Sequence, residues 1–310
     1  MKVISVPGPK LPRFKNPVLA IGVFDGVHVG HQHLIQQVIR KARAIDGTSL
    51  VMTFSPHPVQ VLYPHGSFSL LTPLSCRLSL FAQLGVDVCL VVKFTKAFSR
   101  LGPHQFMRQY LAGMIKPKEI IVGDDFKFGH DRQGHLDILE QEGKRYGFIA
   151  HEVASVRRGG YDISSTLIRQ LIARGRFTIA QKLLGRRVSV FGKVIRGDAR
   201  GNILGFPTAN LDVRGCVLPP RGVYVCRAIM GNKAYGAMTN IGTRPSFAGA
   251  GLKVHCEVHF FDFHRNIYGQ NILVEFIRKL RDEKKFSSPA ALVAQLKKDE
   301  AMARRLLSGL

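Results

Sequence analysis

The sequence predicts two domains of different class: an α/β domain built on a parallel sheet, then a small antiparallel β-barrel followed by a terminal helix. Three observations predict it. Over residues 1–184, short runs rich in Val, Ile and Leu alternate with stretches whose apolar residues recur at helical spacing, as in a parallel sheet with right-handed crossovers. From residue 188 the helical spacing stops, and β-type runs at 188–194, 222–230 and 254–263 follow with glycines between them. Residues 288–307 then read as a helix, with Leu292, Leu296, Ala303 and Leu306 among its apolar positions. The boundary is expected near Gly185-Arg-Arg187, giving domains 1–184 and 185–310; a chain of 310 residues is long for one core and comfortable for two.

The elements follow in order. Val18, Leu19, Ala20, Ile21 and Val23 make a strand-like run that ends at Gly26, and Leu34, Ile35, Val38, Ile39, Ala42 and Ile45 mark a helix over residues 32–45. Between them lies Ile21-Gly-Val-Phe-Asp-Gly-Val-His-Val-Gly-His31. A helix start presents unpaired N–H groups and a partial positive charge, which makes it a phosphate site before any side chain is considered. Gly30 lets a polyphosphate approach the backbone, and His28 and His31, three apart across the turn, aim two imidazoles at the same oxygens. This suits nucleotidyl transfer: charge builds on the phosphoryl oxygens when an α-phosphate is attacked, and fixed donors stabilise it without a covalent bond to either histidine.

A buried strand over residues 48–54 breaks at Ser55-Pro-His-Pro58, a rigid loop at the strand end where open α/β sheets bind ligands. Residues 74–84 read as a helix stopped by Gly85, residues 86–94 as a strand, 103–114 as a helix and 119–122 as a strand. That last strand runs into Gly123-Asp-Asp-Phe-Lys-Phe-Gly129, where Gly123 permits close approach and an acidic side chain binds ribose hydroxyls. A strand over 148–156 precedes Ile163-Ser-Ser-Thr-Leu-Ile-Arg169, in which Ser164 or Ser165 caps a helix while Thr166 and Arg169 add a hydroxyl and a cation. Residues 178–184 form the last helix before the boundary.

In the barrel, Gly192-Lys-Val-Ile-Arg-Gly-Asp198 leads to Gly205-Phe-Pro-Thr-Ala-Asn-Leu211. Thr208 and Asn210, two apart on an extended backbone, point to one face and offer hard oxygen ligands for Mg²⁺ shared with substrate phosphates. Cys256-Glu-Val-His-Phe-Phe-Asp262 alternates in the same way, so that Glu257, His259 and Phe261 share a face. A carboxylate near the metal takes the proton of a hydroxyl that attacks a γ-phosphate.

Composition excludes several classes. Hydrophobic residues are 45% of the chain and mean hydropathy is +0.04, as in a soluble globular protein. No apolar run reaches membrane-spanning length, and Pro7 and Pro9 stand where a signal peptide needs an apolar core, so a cytoplasmic protein is expected. Cys76, Cys89, Cys216, Cys226 and Cys256 are odd in number and contain no Cys-x-x-Cys pair, which argues against a disulfide framework or a zinc site. The net charge of +24 is spread over both halves, with no basic tail and no dense Lys/Arg block interleaved with aromatics. Such a surface draws anionic small substrates; neither a nucleic-acid partner nor a membrane is expected, and the chain is expected to be a monomer or weak homo-oligomer.

The string Gly-x-Phe-Asp-Gly-Val-His-x-Gly-His resembles the signature of the bacterial bifunctional riboflavin kinase/FAD synthetases, a branch of the nucleotidylyltransferase superfamily. The resemblance implies a Rossmann-like nucleotidylyltransferase domain that adenylylates FMN to FAD, with His28 and His31 as catalytic residues and Gly22, Phe24, Asp25 and Gly30 at the ATP phosphates. The string from Val122 to Gly129 is similar to a family element that holds adenosine, which implies Asp125, and less directly Asp124 and Phe128, at the nucleotide and flavin. Ile-Ser-Ser-Thr-x-x-Arg resembles the family's second signature, which implies that Ser165, Thr166 and Arg169 grip the triphosphate opposite the histidines. Phe54, Pro56, His57 and Pro58 resemble lining residues of the flavin and nucleotide site; Phe54 either packs on an isoalloxazine ring or joins the core.

Gly-Phe-Pro-Thr-Ala-Asn is similar to the riboflavin kinase signature, and Pro220-Arg-Gly-Val-Tyr224 and Asn240-Ile-Gly-Thr-Arg-Pro245 resemble later kinase elements. The likeness implies a kinase ATP loop at Gly197, Asp198, Gly205 and Pro207, Mg²⁺ held with ATP by Thr208 and Asn210, and Glu257 as general base. It also implies flavin or lid contacts from Arg281, Asp282 and Glu283 and a terminal helix over the flavin. Riboflavin, FMN and FAD are then substrates and products, with ATP as co-substrate. The chain departs from the family at Val23, where Asn is usual, at Arg196, where His is usual, and at Asn202, where Arg is usual. Two rival readings remain: a riboflavin kinase whose N-terminal site is inactive, and a basic RNA-associated protein on an enzyme fold.

Overall fold

Six strands of the N-terminal half, β1 (Lys2–Val6), β2 (Val18–Ile21), β3 (Ser49–Ser55), β4 (Val88–Lys93), β5 (Glu119–Gly123) and β6 (Ile149–Val153), pair in parallel in the order β1-β4-β3-β2-β5-β6. The computed structural model describes residues 1–6, 11–197, 201, 204–245 and 252–309. Alternate residues along each strand serve opposite faces. Leu19, Met52, Leu90 and Ile120 join one core, and Val18, Ala20, Val51, Cys89 and Ile121 another, so both faces of the sheet are covered. The second core is sealed by Ile35, Val38 and Ala42 of α1 (Val29–Ala44).

Between β3 and β4 come the short α2 (Pro58–Leu62) and α3 (Leu74–Leu84), the latter ended by Gly85 at φ +92°, as its glycine predicts. Between β4 and β5 come α4 (Lys96–Ser99), α5 (Pro103–Phe106) and a π-helical continuation, Met107–Ile115. The sequence reads this stretch as one ordinary helix; the structure widens it, and Lys116 N–H closes it by bonding Leu111 O. A 3₁₀ turn (His130–Arg132) and α6 (Leu136–Tyr146) lead to β6, and a hairpin of β7 (Arg157–Arg158) and β8 (Tyr161–Asp162) precedes α7 (Ser165–Ala173).

The chain divides into two compact units, one of residues 1–68 and 72–165, the other of 69–71 and 166–310. In the second unit α8 (Phe177–Leu184) sets Phe177 against Tyr224 and Phe276, both buried in the barrel. The barrel's strands are β9 (Ser189–Ile195), β10 (Ala209–Asp212), β11 (Gly222–Met230), β12 (Lys233–Pro245), β13 (Leu252–Phe260) and β14 (Asn271–Arg281). They close in the order β10-β13-β12-β11-β14-β9, antiparallel throughout. The terminal helix α9 (Pro289–Ser308) is capped by Ser288 and buries Ala303 against Val225, Met238 and Phe261.

Candidate active sites

In the parallel sheet the chain reverses direction of travel at β2, going first to β3 and β4 and then returning to β5 on the other side. Crevices at the carboxyl ends of such strands bind ligands. The segment after β2 carries the His28–His31 motif and the segment after β5 carries Asp124 and Asp125, both exposed. The Asp125 carboxylate lies back over Gly123, where an added Cβ would be 3.3 Å from its Oδ1.

Helix α1 begins earlier than its apolar spacing predicts, with His28 as N-cap. Its Nδ1 accepts the His31 N–H at 3.3 Å, which leaves the neutral ring's Nε2 as the N–H donor. Gly30 and His31 therefore belong to the first helical turn. The two imidazoles stack, ring centres 3.5 Å apart at 19°, and Phe24 meets His31 edge-on at 5.3 Å. Gly30 is tight: a Cβ there would be 3.3 Å from His28 Nδ1. Gly22 is tighter still, with the Phe24 ring 2.8 Å from the place of its missing Cβ.

The loop is held by buried polar contacts. Asp25 is 2% exposed and its Oδ1 accepts both the N–H (2.9 Å) and the hydroxyl (3.2 Å) of Thr72, whose Oγ1 also accepts Gly26 N–H at 2.8 Å. Ser165, the first residue of α7, donates its hydroxyl to Asp25 O at 2.8 Å. Thr166 and Arg169 fall in the second unit, where Arg169 Nε donates to Ser69 O. Thr72 and the buried Arg77 escape the sequence reading. Arg77 donates to Val23 O, to Thr53 Oγ1 at 2.9 Å and to Phe54 O at 3.2 Å, and burial pulls its pKa down against the charge of Asp25. The sequence signal available was an arginine on the apolar helix α3.

After β3, the bond Ser55–Pro56 is cis and Pro58 opens α2. His57 is 8% exposed and caps α2, accepting Val59 N–H at Nδ1 (3.1 Å) while its ring packs on Phe68. Phe54 is half-buried beside Phe94 and Phe98 at the edge of a core. Phe128 lies within that core, pressed on Gly134 and stacked on the more exposed Phe126.

In the barrel, Thr208, Asn210, Asn240, Glu257 and His259 converge on a cleft of about 330 Å³, with Arg281 and Glu283 also on its wall. Register explains the convergence: Glu257 on β13 pairs with Asn210 of β10 on one side and Asn240 of β12 on the other. His259 Nδ1 donates to Pro207 O at 2.8 Å, and its ring packs at a tilt against Phe206, 5.2 Å between centres, beside the turn before Thr208. Gly197 lies so close to Asn210 that a Cβ would be 2.1 Å from its amide nitrogen, and Gly205 has φ +77°. Asp198 and Asn202 lie outside the described residues. Arg281 pairs with the buried Asp299 of α9 at 2.8 Å and lies over Phe286; Asp282 pairs with Lys279.

The oxygen donors of Thr208 and Asn210 beside a carboxylate fit Mg²⁺ delivered with a nucleotide. Among the described residues no cluster of three or more His, Cys, Asp or Glu forms an all-protein metal cage. A helix start of the kind that binds phosphate in one unit and an oxygen-lined cleft in the other fit a two-site transferase that uses a nucleotide. Residues 11–167 match the family model described as FAD synthetase, and residues 184–307 the one described as riboflavin kinase. The bifunctional riboflavin kinase/FMN adenylyltransferase of Escherichia coli K12 is 38% identical over 288 residues, 93% of this chain and 91% of the relative. The Bacillus subtilis 168 counterpart is 36% identical over 298 residues, 94% of this chain and 93% of the relative. A crystal structure from Streptococcus pneumoniae, described as a macrolide-efflux protein, is similar at a TM-score of 0.80 and 32% identity, covering 98% of this chain and 99% of that one. The chain belongs to the bifunctional riboflavin kinase/FMN adenylyltransferase family, with its adenylyltransferase half first and its kinase half second. No helix among the described residues is long and apolar enough to cross a membrane.

Proposed function

We propose that the chain makes FAD from riboflavin in two ATP-dependent steps, riboflavin to FMN in residues 185–310 and FMN to FAD with release of pyrophosphate in residues 1–184. The observation that carries this reading is the alignment of Glu257 between Asn210 and Asn240 in the cleft that Thr208 also lines. There the 5′-hydroxyl of riboflavin attacks the γ-phosphorus of ATP, and Glu257 takes its proton. Gly197, Gly205 and Pro207 shape the ATP loop, and Thr208 and Asn210 hold Mg²⁺ through their side-chain oxygens. The ion, when bound, neutralises phosphate charge. Arg281, Asp282 and Glu283 border the flavin.

In the N-terminal unit an FMN phosphate oxygen attacks the α-phosphorus of ATP and pyrophosphate leaves. His28, through the N–H at Nε2, and His31 meet the charge that builds on the phosphoryl oxygens, together with the positive end of α1. Asp125 binds ribose, and Phe54, Pro56 and Pro58 border the flavin. His57 and Phe128 support that wall from behind, since both are buried. A cytoplasmic setting fits five cysteines that stand as thiols, outside any disulfide.

The test is product analysis by HPLC after incubation of the purified protein with riboflavin, ATP and Mg²⁺. FMN followed by FAD is expected. FMN alone would confine the activity to the barrel, and neither product would overturn both assignments.

A further inference from the structure

Arg77 stands out in the N-terminal unit as a cation that is 2% exposed and has no carboxylate hydrogen-bonded to it among the described residues. Its guanidinium spends its donors on backbone and hydroxyl oxygens at the ends of two neighbouring strands. Nη1 reaches Val23 O, in the loop that runs from β2 to the histidines, and Thr53 Oγ1 on β3; Nη2 reaches Phe54 O, two residues before Pro56. Thr53 Oγ1 itself donates to Val23 O at 2.9 Å, which closes a three-way junction. Nε has no hydrogen-bond partner among the described residues. Burying a guanidinium is costly unless its donors are hydrogen-bonded, and a planar fork joins two carbonyls at fixed separation as an ammonium does not.

We propose that Arg77 is a positioning residue for adenylyl transfer, clamping the Val23 carbonyl to the end of β3 so that the turn from Gly22 to His28 holds its shape and a fixed positive charge lies behind it. The inference rests on the N-terminal reading given above. The junction uses the main-chain oxygen of residue 23, which any side chain there leaves in place. The cation acts from beneath the loop, close enough to Asp25 for its charge to be felt, and touches no reacting atom.

The test uses the full-length protein and its two activities. In Arg77→Lys the charge is kept and the fork is lost. FMN formation from riboflavin, measured in the same preparation, is expected to be unchanged, and kcat for FAD formation from FMN is expected to fall about 10- to 100-fold, the order of loss for a misplacement of about 1 Å. A purely structural role predicts instead a lower Tm with kcat retained in the folded fraction. An Arg77→Lys protein that folds and makes FAD at the wild-type kcat overturns the proposal. Should that variant not fold, Thr53→Val decides: it removes one arm of the junction without changing volume, and a kcat loss of several fold supports the clamp while a wild-type kcat refutes it. If the unmutated protein makes FMN but no FAD, the N-terminal reading fails first and the clamp with it, a result no Arg77 variant mimics.

Discussion

Asn210 and Glu257 are direct cross-strand partners on β10 and β13, so the amide assigned to the metal and the carboxylate assigned to the proton stand side by side. Opposed residues of antiparallel strands hold their Cβ atoms about 4.5–5.5 Å apart, within reach of one phosphate and its ion. Glu257→Gln keeps the shape and removes the base. FMN formation should fall about 10²–10⁴-fold in kcat, the usual worth of general-base catalysis, while FAD formation from added FMN and the Tm stay at wild-type values. An active Glu257→Gln enzyme would refute the base assignment.

Asn210→Ala takes away one oxygen donor next to that base. The expected outcome is a rise in the Mg²⁺ concentration needed for half-maximal FMN formation, by about tenfold, which is the order of one lost charge-assisted contact. Titrating Mg²⁺ at saturating ATP and riboflavin measures it. An unchanged Mg²⁺ dependence would move the ion elsewhere.

His28→Ala combined with His31→Ala removes the stacked pair from the head of α1. FAD formation should drop at least 10²–10³-fold, the loss seen when a fixed oxyanion donor is deleted, with FMN formation spared. Undiminished FAD synthesis would sink the catalytic role of the histidines. Because His28 also caps α1, His28→Asn alone should retain the helix while losing the Nε2 donor.

At the opposite end of the sheet Glu119 accepts from Lys41 at 2.8 Å and contacts His151 at 2.6 Å. Burial pushes its carboxyl pKa up, but the hydrogen bonds and charges of Lys41 and His151 outweigh this and hold it below the usual carboxylate range. A depressed folded pKa gives stability that is present above the unfolded value and lost as pH falls through the folded one. Glu119→Gln should therefore lower Tm by about 2–4 °C at neutral pH, equivalent to ~1 kcal/mol in a domain of this size. The gap should close on acidification below about pH 4. Thermal melts of both proteins across pH check it; a gap that persists in acid would contradict the assignment.

Most of the scaffold was legible because period and punctuation were strong. The apolar runs at β3 and β5 and the glycine after α3 match the structure within a residue or two; alternation pairs Thr208 with Asn210 and Glu257 with His259 on shared faces, and the structure lines one cleft with all four. What sequence reading missed was held by distant partners. β1 is a five-residue strand whose partner β4 lies beyond residue 87, so nothing local announces it. Thr72 and Arg77 reach back 47 and 54 positions to Asp25 and Val23. Helix α1 starts before its apolar spacing does because a histidine, outside the usual capping residues, supplies the cap. His57 and Phe128 lie in strings that resemble the family's, yet burial gives each a local task in capping or core packing.

The closure of the barrel has a consequence for synthesis on the ribosome. β9 pairs with β14, and β10 with β13, so the first barrel strands find their outer neighbours only when the last ones have been made. All six parallel strands, by contrast, end by Val153. Long-range pairing is slow and leaves strand edges open meanwhile. The adenylyltransferase sheet is expected to be complete while the kinase barrel still gapes. Proteolysis of stalled nascent chains would show it as protection of residues before 165 well ahead of β9, and early protection of β9 would argue the reverse.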